Sequence, residues 1–103
     1  MKEIVKKLIE KYGENEEKRK ICEELSELLV NVIKSLNGKD ISRRDILEER
    51  IDVELELHMI DEIYGFNEIT KEKMWEIKKK KIEERYLKKE VNRYDNKRIK
   101  RDE

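Results

Sequence analysis

Only about six residues, Asn37 to Ser42, separate two long stretches of helical periodicity, and this short link constrains the fold more than any other feature. A connection of that length folds one helix back on its neighbour, so the two lie side by side and antiparallel. Both flanks of the link carry stop and start signals. Asn37-Gly38 ends the first of the two helices, which begins near residue 15, because glycine readily takes the conformation that closes a helix. Ser42 is placed to cap the next, with Asp45 three residues on, close to a capping box. That helix runs from about 43 to 64 and stops at Gly65.

Two more helices flank this pair. Residues 2–12 form a short amphipathic helix that directs Ile4, Val5, Leu8 and Ile9 inward and ends at Gly13. The fourth starts after Thr70 as N-cap and runs to about residue 90. The chain has no proline and three glycines, and half of its residues are charged. Long polar helices satisfy that composition better than a sandwich or barrel, which needs many turns. The expected fold is all-α, an antiparallel helical bundle of about four helices in one domain over 1–90, followed by a polar tail over 91–103. Only 36% of residues are hydrophobic, so an isolated monomer buries little apolar surface, and completion of the bundle by dimerisation is expected.

Charge and cysteine content narrow the partners. Lys+Arg and Asp+Glu balance at 26 each, leaving no global field to attract nucleic acid. The single cysteine, Cys22, excludes an intramolecular disulfide and suits a reducing compartment. The N-terminal segment interrupts its apolar residues with charge and reads as neither a signal peptide nor a membrane span. A cytoplasmic protein with no membrane partner is expected.

The acids on the central pair carry the functional argument. On the second helix Ile21, Leu25, Leu28, Leu29, Val32 and Leu36 share an apolar arc, and Glu24 and Glu27 sit one turn apart along its edge. On the third helix Glu49 and Asp52 have the same spacing, and Asp45 and Glu56 extend their stripe. Apolar residues flank that stripe on both sides: Ile46, Val53, Leu57 and Ile60 on one, Leu47, Ile51 and Leu55 on the other. In a hairpin bending near Gly38, Glu27 faces Glu49 and Glu24 faces Asp52 at about the same height, within roughly a turn. Four gathered carboxylates repel one another unless a cation compensates them. All-oxygen donors of this charge suit Mg²⁺ or Mn²⁺ rather than zinc or copper. Geometry alone leaves two readings open, a metal site or a solvated acidic seam paired with lysines.

The same residues resemble the signature of the MazG-like all-α nucleoside triphosphate pyrophosphohydrolases, a superfamily that includes dimeric dUTPases. Its pattern is E-E-x-x-E, a spacer, then E-x-x-D. Glu23-Glu24-Leu25-Ser26-Glu27 is similar to the first half and Glu49-Arg50-Ile51-Asp52 to the second. The wider strings also resemble the short MazG-like proteins of phages and Gram-positive bacteria, and the likeness spans roughly residues 15 to 90. The chain departs from the pattern at Arg50 and Ile51, where relatives commonly carry an aliphatic and then a small residue. The resemblance implies Mg²⁺-dependent hydrolysis between the α- and β-phosphates, releasing a nucleoside monophosphate and pyrophosphate. It also implies that Glu24, Glu27, Glu49 and Asp52 hold the metal and that Glu23 is an accessory catalytic carboxylate acting on a water. A homodimer or larger assembly agrees with it. A non-catalytic relative that binds nucleotide or metal is the alternative.

Other residues have weaker claims. Lys78, Lys81 and Arg85 share one face of the fourth helix, within a run that extends through Lys88 and Lys89, and form a candidate phosphate clamp. A solvated basic face is the competing reading. Trp75, Ile82 and Tyr86 lie on a neighbouring face and are expected to pack, with base stacking as the sharper alternative. His58 projects toward the side of Leu47, Ile51 and Leu55 and is expected at a packing or subunit contact. Cys22 points toward the apolar arc, and nothing around it marks a nucleophile.

Overall fold

The structure is a computed structural model that describes residues 1–88. The end of the expected fourth helix, Lys89 and the polar tail lie outside the described residues. Those described are all-helical, with no strand: α1 (Lys2–Tyr12), α2 (Glu14–Leu36), α3 (Arg43–Tyr64), α4 (Glu68–Ile82) and a π-helical turn, Glu83–Leu87.

Local chemistry explains most of these boundaries. Gly13 ends α1 and precedes α2 at a φ of 87°, a value that only glycine takes without strain, while its N–H still bonds Ile9 O at 2.8 Å. Ser42 Oγ accepts the N–H of Asp45 at 3.1 Å, the expected cap of α3. At α4 the cap is Asn67, not Thr70. Asn67 Oδ1 accepts the N–H of Thr70 at 2.9 Å, which makes Thr70 the third helical residue. Asparagine ranks above threonine as an N-cap, and the periodicity of this polar helix is too weak to mark its start. Past Ile82 the α-helical ladder gives way to i→i+5 bonding, with Lys88 N–H to Glu83 O at 2.8 Å.

The chain divides into two compact units, Met1–Phe66 and a second from Asn67 onward. In the first, α2 packs along α3 and α1 packs on both. Val5, Ile21 and Met59 form a buried cluster, one residue from each helix, with Leu8, Ile9, Leu55, Ile60 and Ile63 packed against it. Burial of each such side chain contributes roughly 1.5–3 kcal/mol. Val53 of α3 is also buried. The apolar arc expected on α2 contributes only Ile21 to this core. Leu28 is half-buried, and Leu25, Leu29, Val32 and Leu36 are exposed. Ile4 of α1 and Leu47, Ile51 and Leu57 of α3 are exposed as well. Three helices cannot cover both sides of α3, so much of its apolar surface faces outward. No described helix is long and apolar enough to cross a membrane.

Within the second unit α4 buries none of its residues. Trp75, expected to pack, is exposed, Ile82 is exposed at 36%, and Tyr86 is half-buried.

Candidate metal centre

The acidic seam forms because α2 and α3 run antiparallel. Carboxylate oxygens of Glu24 on α2 and of Glu49 and Asp52 on α3 lie within 4.8 Å of one another. A second grouping, Glu23, Glu24 and Glu27, meets the same limit and shares Glu24 with the first. The structure therefore brings together all five sequence-derived acids around Glu24, which is 6% exposed. Glu49 is half-buried, and Glu23, Glu27 and Asp52 are exposed at the rim.

Charge in this cluster is only partly compensated. Lys20, one turn before Glu24, places Nζ 3.1 Å from Glu24 Oε1 and 3.7 Å from Glu23 Oε1. The bond to Glu24 and the neighbouring carboxylates hold the lysine pKa above its ordinary range. Glu27 is raised too, first by Glu24, then by desolvation and by Glu49 and Glu23. Oε2 of Glu24 and Oε2 of Glu49 are buried without a hydrogen-bond partner. An ionised oxygen in that position needs a donor or a cation, since leaving it unpaired costs about 1–3 kcal/mol or more.

These donors fit a hard divalent cation. Mg²⁺ binds oxygens at about 2.0–2.1 Å in octahedral geometry, which separates ligand oxygens by roughly 3 to 4 Å, and it keeps several waters. Three carboxylate oxygens within 4.8 Å, two residues of them carrying orphaned oxygens, need only a small contraction to reach that geometry. Without soft sulfur or imidazole in either grouping, the set suits Mg²⁺ or Mn²⁺.

Sequence reasoning missed a second acidic level on the same seam. Glu17 of α2 is 6% exposed and Glu56 of α3 is 3% exposed, although neither has an apolar side chain. Glu56 had registered only as an extension of the stripe. Burial raises its pKa first, and Glu17 and Glu24 raise it further, against the opposing effect of Lys20. Position carried a signal: Glu56 is four residues after Asp52 and Glu17 seven before Glu24, so each continues the face of its partner.

Lys78 and Lys81 are exposed on α4, and Arg85 is half-buried in the π-helical turn, all in the second unit. The change to π geometry past Ile82 also takes Arg85 out of the α-helical register that aligned it with Lys78 and Lys81. His58 is exposed. Cys22 is exposed rather than turned into the core. Asp45 gives its backbone N–H to the cap of α3, and the residue is exposed.

No family model matches the chain, and no curated protein or solved structure matches it.

Proposed function

We propose that the first unit is a divalent-cation-dependent nucleotide pyrophosphohydrolase, releasing a nucleoside monophosphate and pyrophosphate from a nucleoside triphosphate. The observation that carries this reading is the convergence of Glu24, Glu49 and Asp52 from two helices, with two buried oxygens left unpaired. The resemblance of Glu23–Glu27 and Glu49–Asp52 to the E-E-x-x-E and E-x-x-D pattern supplies the chemistry.

In this mechanism Glu24, Glu27, Glu49 and Asp52 would hold Mg²⁺ or Mn²⁺. A cation held there would supply positive charge for the phosphate oxygens and lower the pKa of water. Glu23, exposed beside Glu24 and Glu27, accepts a hydrogen bond from a water and fixes its direction of attack. Its place at the rim leaves it open to water although Lys20 Nζ stands 3.7 Å away, and from there it can take the proton. Lys78, Lys81 and Arg85 of the second unit carry the cationic charge with which a phosphate group would pair.

Self-association is part of the reading. Leu25, Leu29, Val32, Leu36, Leu47 and Ile51 are all more than 40% exposed on α2 and α3, apolar surface that a second copy can bury. A homodimer covers it, and light scattering that finds a monomer at micromolar concentration counts against this part. A cytoplasmic location fits the exposed lone thiol of Cys22, which stays reduced there.

The test is a pyrophosphate-release assay across nucleoside triphosphates with Mg²⁺ and Mn²⁺, run beside thermal unfolding in the same ions. Release that disappears in Glu24→Gln and in Asp52→Asn supports hydrolysis at this cluster. A metal-dependent stabilisation without release from any nucleotide points to a non-catalytic metal- or nucleotide-binding protein. With neither effect, the acids are a seam that Lys20 neutralises.

A further inference from the structure

We infer that the cavity next to the four-acid cluster seats the nucleobase, and that Glu56 and Glu17 select a guanine edge. This rests on the reading of the cluster as a nucleotide phosphate site and names the substrate class it serves. The cavity measures about 410 Å³ and lies where α1 crosses the α2–α3 seam, within the 300–1,000 Å³ range of small-molecule sites. Leu8 and Tyr12 of α1 and Leu55 of α3 supply its apolar lining, and Glu16, Glu17, Glu56 and Lys20 its polar groups. Tyr12 is 53% exposed at the edge, so its ring is available to a ligand rather than spent on the core.

The polar groups decide what fits. Glu56 is 3% exposed, lines the cavity, and has Oε2 buried with no hydrogen-bond partner. Glu17 is buried beside it and contributes to the rise in its pKa. Three carboxylates against one ammonium leave this cleft with more acceptors than donors. Among the common bases, guanine alone presents two adjacent donors, the ring N1–H and the 2-amino group, which match both oxygens of one carboxylate. Hypoxanthine offers one N–H between a carbonyl and a C–H, and uracil one N–H between two carbonyls, so neither satisfies both oxygens.

Position supports the assignment independently of chemistry. On α3 Glu56 lies four residues beyond Asp52 and seven beyond Glu49, about 6 Å and about 10 Å along the axis, a range that the sugar and base of a nucleotide together can span. Lys20 touches both places: it lines the cavity and its Nζ is 3.1 Å from Glu24. A nucleotide with its base in the cavity and its phosphates at the acids would lie along this line.

Calorimetric titration with GMP and IMP in the presence of Mg²⁺ tests the inference, because the two differ only by the 2-amino group. GMP is expected to bind at least about 10-fold more tightly, the worth of a hydrogen bond to a charged acceptor. In Glu56→Leu, which fills the space without a carboxylate, the preference should fall to near unity while the melting temperature holds or rises. Glu56→Gln, closer in shape, should lose most of the preference and serves if the leucine variant fails to fold. Equal binding of GMP and IMP, a preference that survives both substitutions, or no binding of either nucleotide overturns the inference. Agmatine binding as tightly as GMP overturns it as well, since the cavity would then be a cation site. Pyrophosphate release from GTP and ITP reports separately on hydrolysis. Equal release from both sinks the base assignment alone, and no release with the GMP preference intact sinks the hydrolysis alone.

Discussion

The α2–α3 seam carries carboxylates at two levels, and the two behave as different chemical environments although the residue types are nearly the same. Near the link, Glu24 and Glu49 sit inside while Glu23, Glu27 and Asp52 stand exposed around them. One turn or more away, Glu17 and Glu56 are both buried, beside a cavity with Leu8, Tyr12 and Leu55 in its lining. The first level is open, so a hydrated cation can reach it and keep part of its water shell. The second holds its acids more deeply and shares its lysine with the first. Its burden of charge is met by holding a proton or by a ligand that donates hydrogen bonds. Access to water, rather than the count of acids, distinguishes the two levels.

The sharpest break of this comparison comes from exchanging one acid at each level for its amide. Glu24→Gln removes the carboxylate common to both groupings. It should abolish metal-induced stabilisation and lower pyrophosphate release by more than the roughly 10- to 100-fold that follows loss of an outer partner of a metal ligand. Glu56→Gln should leave the metal-induced shift in melting temperature in place. Melting curves over a magnesium titration measure both. If the two substitutions affect the metal response equally, the levels are one site.

Both levels depend on the same small core, which gives the next largest effect. Met59 is fully buried between Val5 and Ile21. Met59→Ala should lower stability by about 2–5 kcal/mol, because so small a core cannot close over the space it leaves. Urea unfolding measures the loss. Leu36→Ala, at a position 83% exposed, is the companion, and in the monomer it should change stability little. A large loss at Leu36 would mean that a second copy already covers α2.

The sequence made the hairpin and the upper acid level legible for one reason: the link is short, and a short link fixes the height of everything beside it. Glu24 against Asp52 followed from counting outward from Gly38. The lower level was not legible, because a buried glutamate looks in sequence like any surface glutamate. Its burial depends on where α1 crosses, and the turn at Gly13 sets that without any pattern in Glu17 or Glu56. The same limit applies to the arc of α2. Periodicity identified Leu25, Leu29 and Val32 as one face, but whether a partner covers a face is a tertiary fact. In α4, lysines dominate and no apolar stripe marks the start, so Asn67 rather than Thr70 as cap could be found only from the hydrogen bond it makes.

Acidity distinguishes the levels further. The pKa of Glu56 is raised from its ordinary value of 4.5 by burial, with Glu17, Glu24 and Asp52 adding to the rise and Lys20 opposing it. The folded chain therefore holds this proton more tightly than the unfolded chain. Stability from Glu56 is present in full below 4.5 and is lost as pH climbs through the raised folded value. Metal-free protein should lose stability as pH rises from 4.5 toward neutrality, and Glu56→Leu should flatten that slope. It should also gain on the order of 1–3 kcal/mol at neutral pH, the cost of an unpaired buried polar group. Thermal unfolding across pH in chelator measures both. An unchanged slope would mean that Glu56 finds a partner at every pH.

The smallest expected effect probes the residue that joins the levels. Lys20 reaches Glu24 and Glu23 from one side and lines the cavity from the other. Its side chain is 50% exposed, so water screens much of its attraction, and its removal should matter only modestly to folding. For the metal it has a definite sign. An ammonium at Glu24 competes with a cation for the same oxygens, so Lys20→Met should tighten Mg²⁺ binding by a few-fold, in line with the weak worth of an exposed ion pair. If the lysine instead helps to hold Glu24 in its ligating position, binding weakens. A calorimetric Mg²⁺ titration of the two proteins gives the direction, and only tighter binding is consistent with an open cluster in which lysine and metal are alternative counterions.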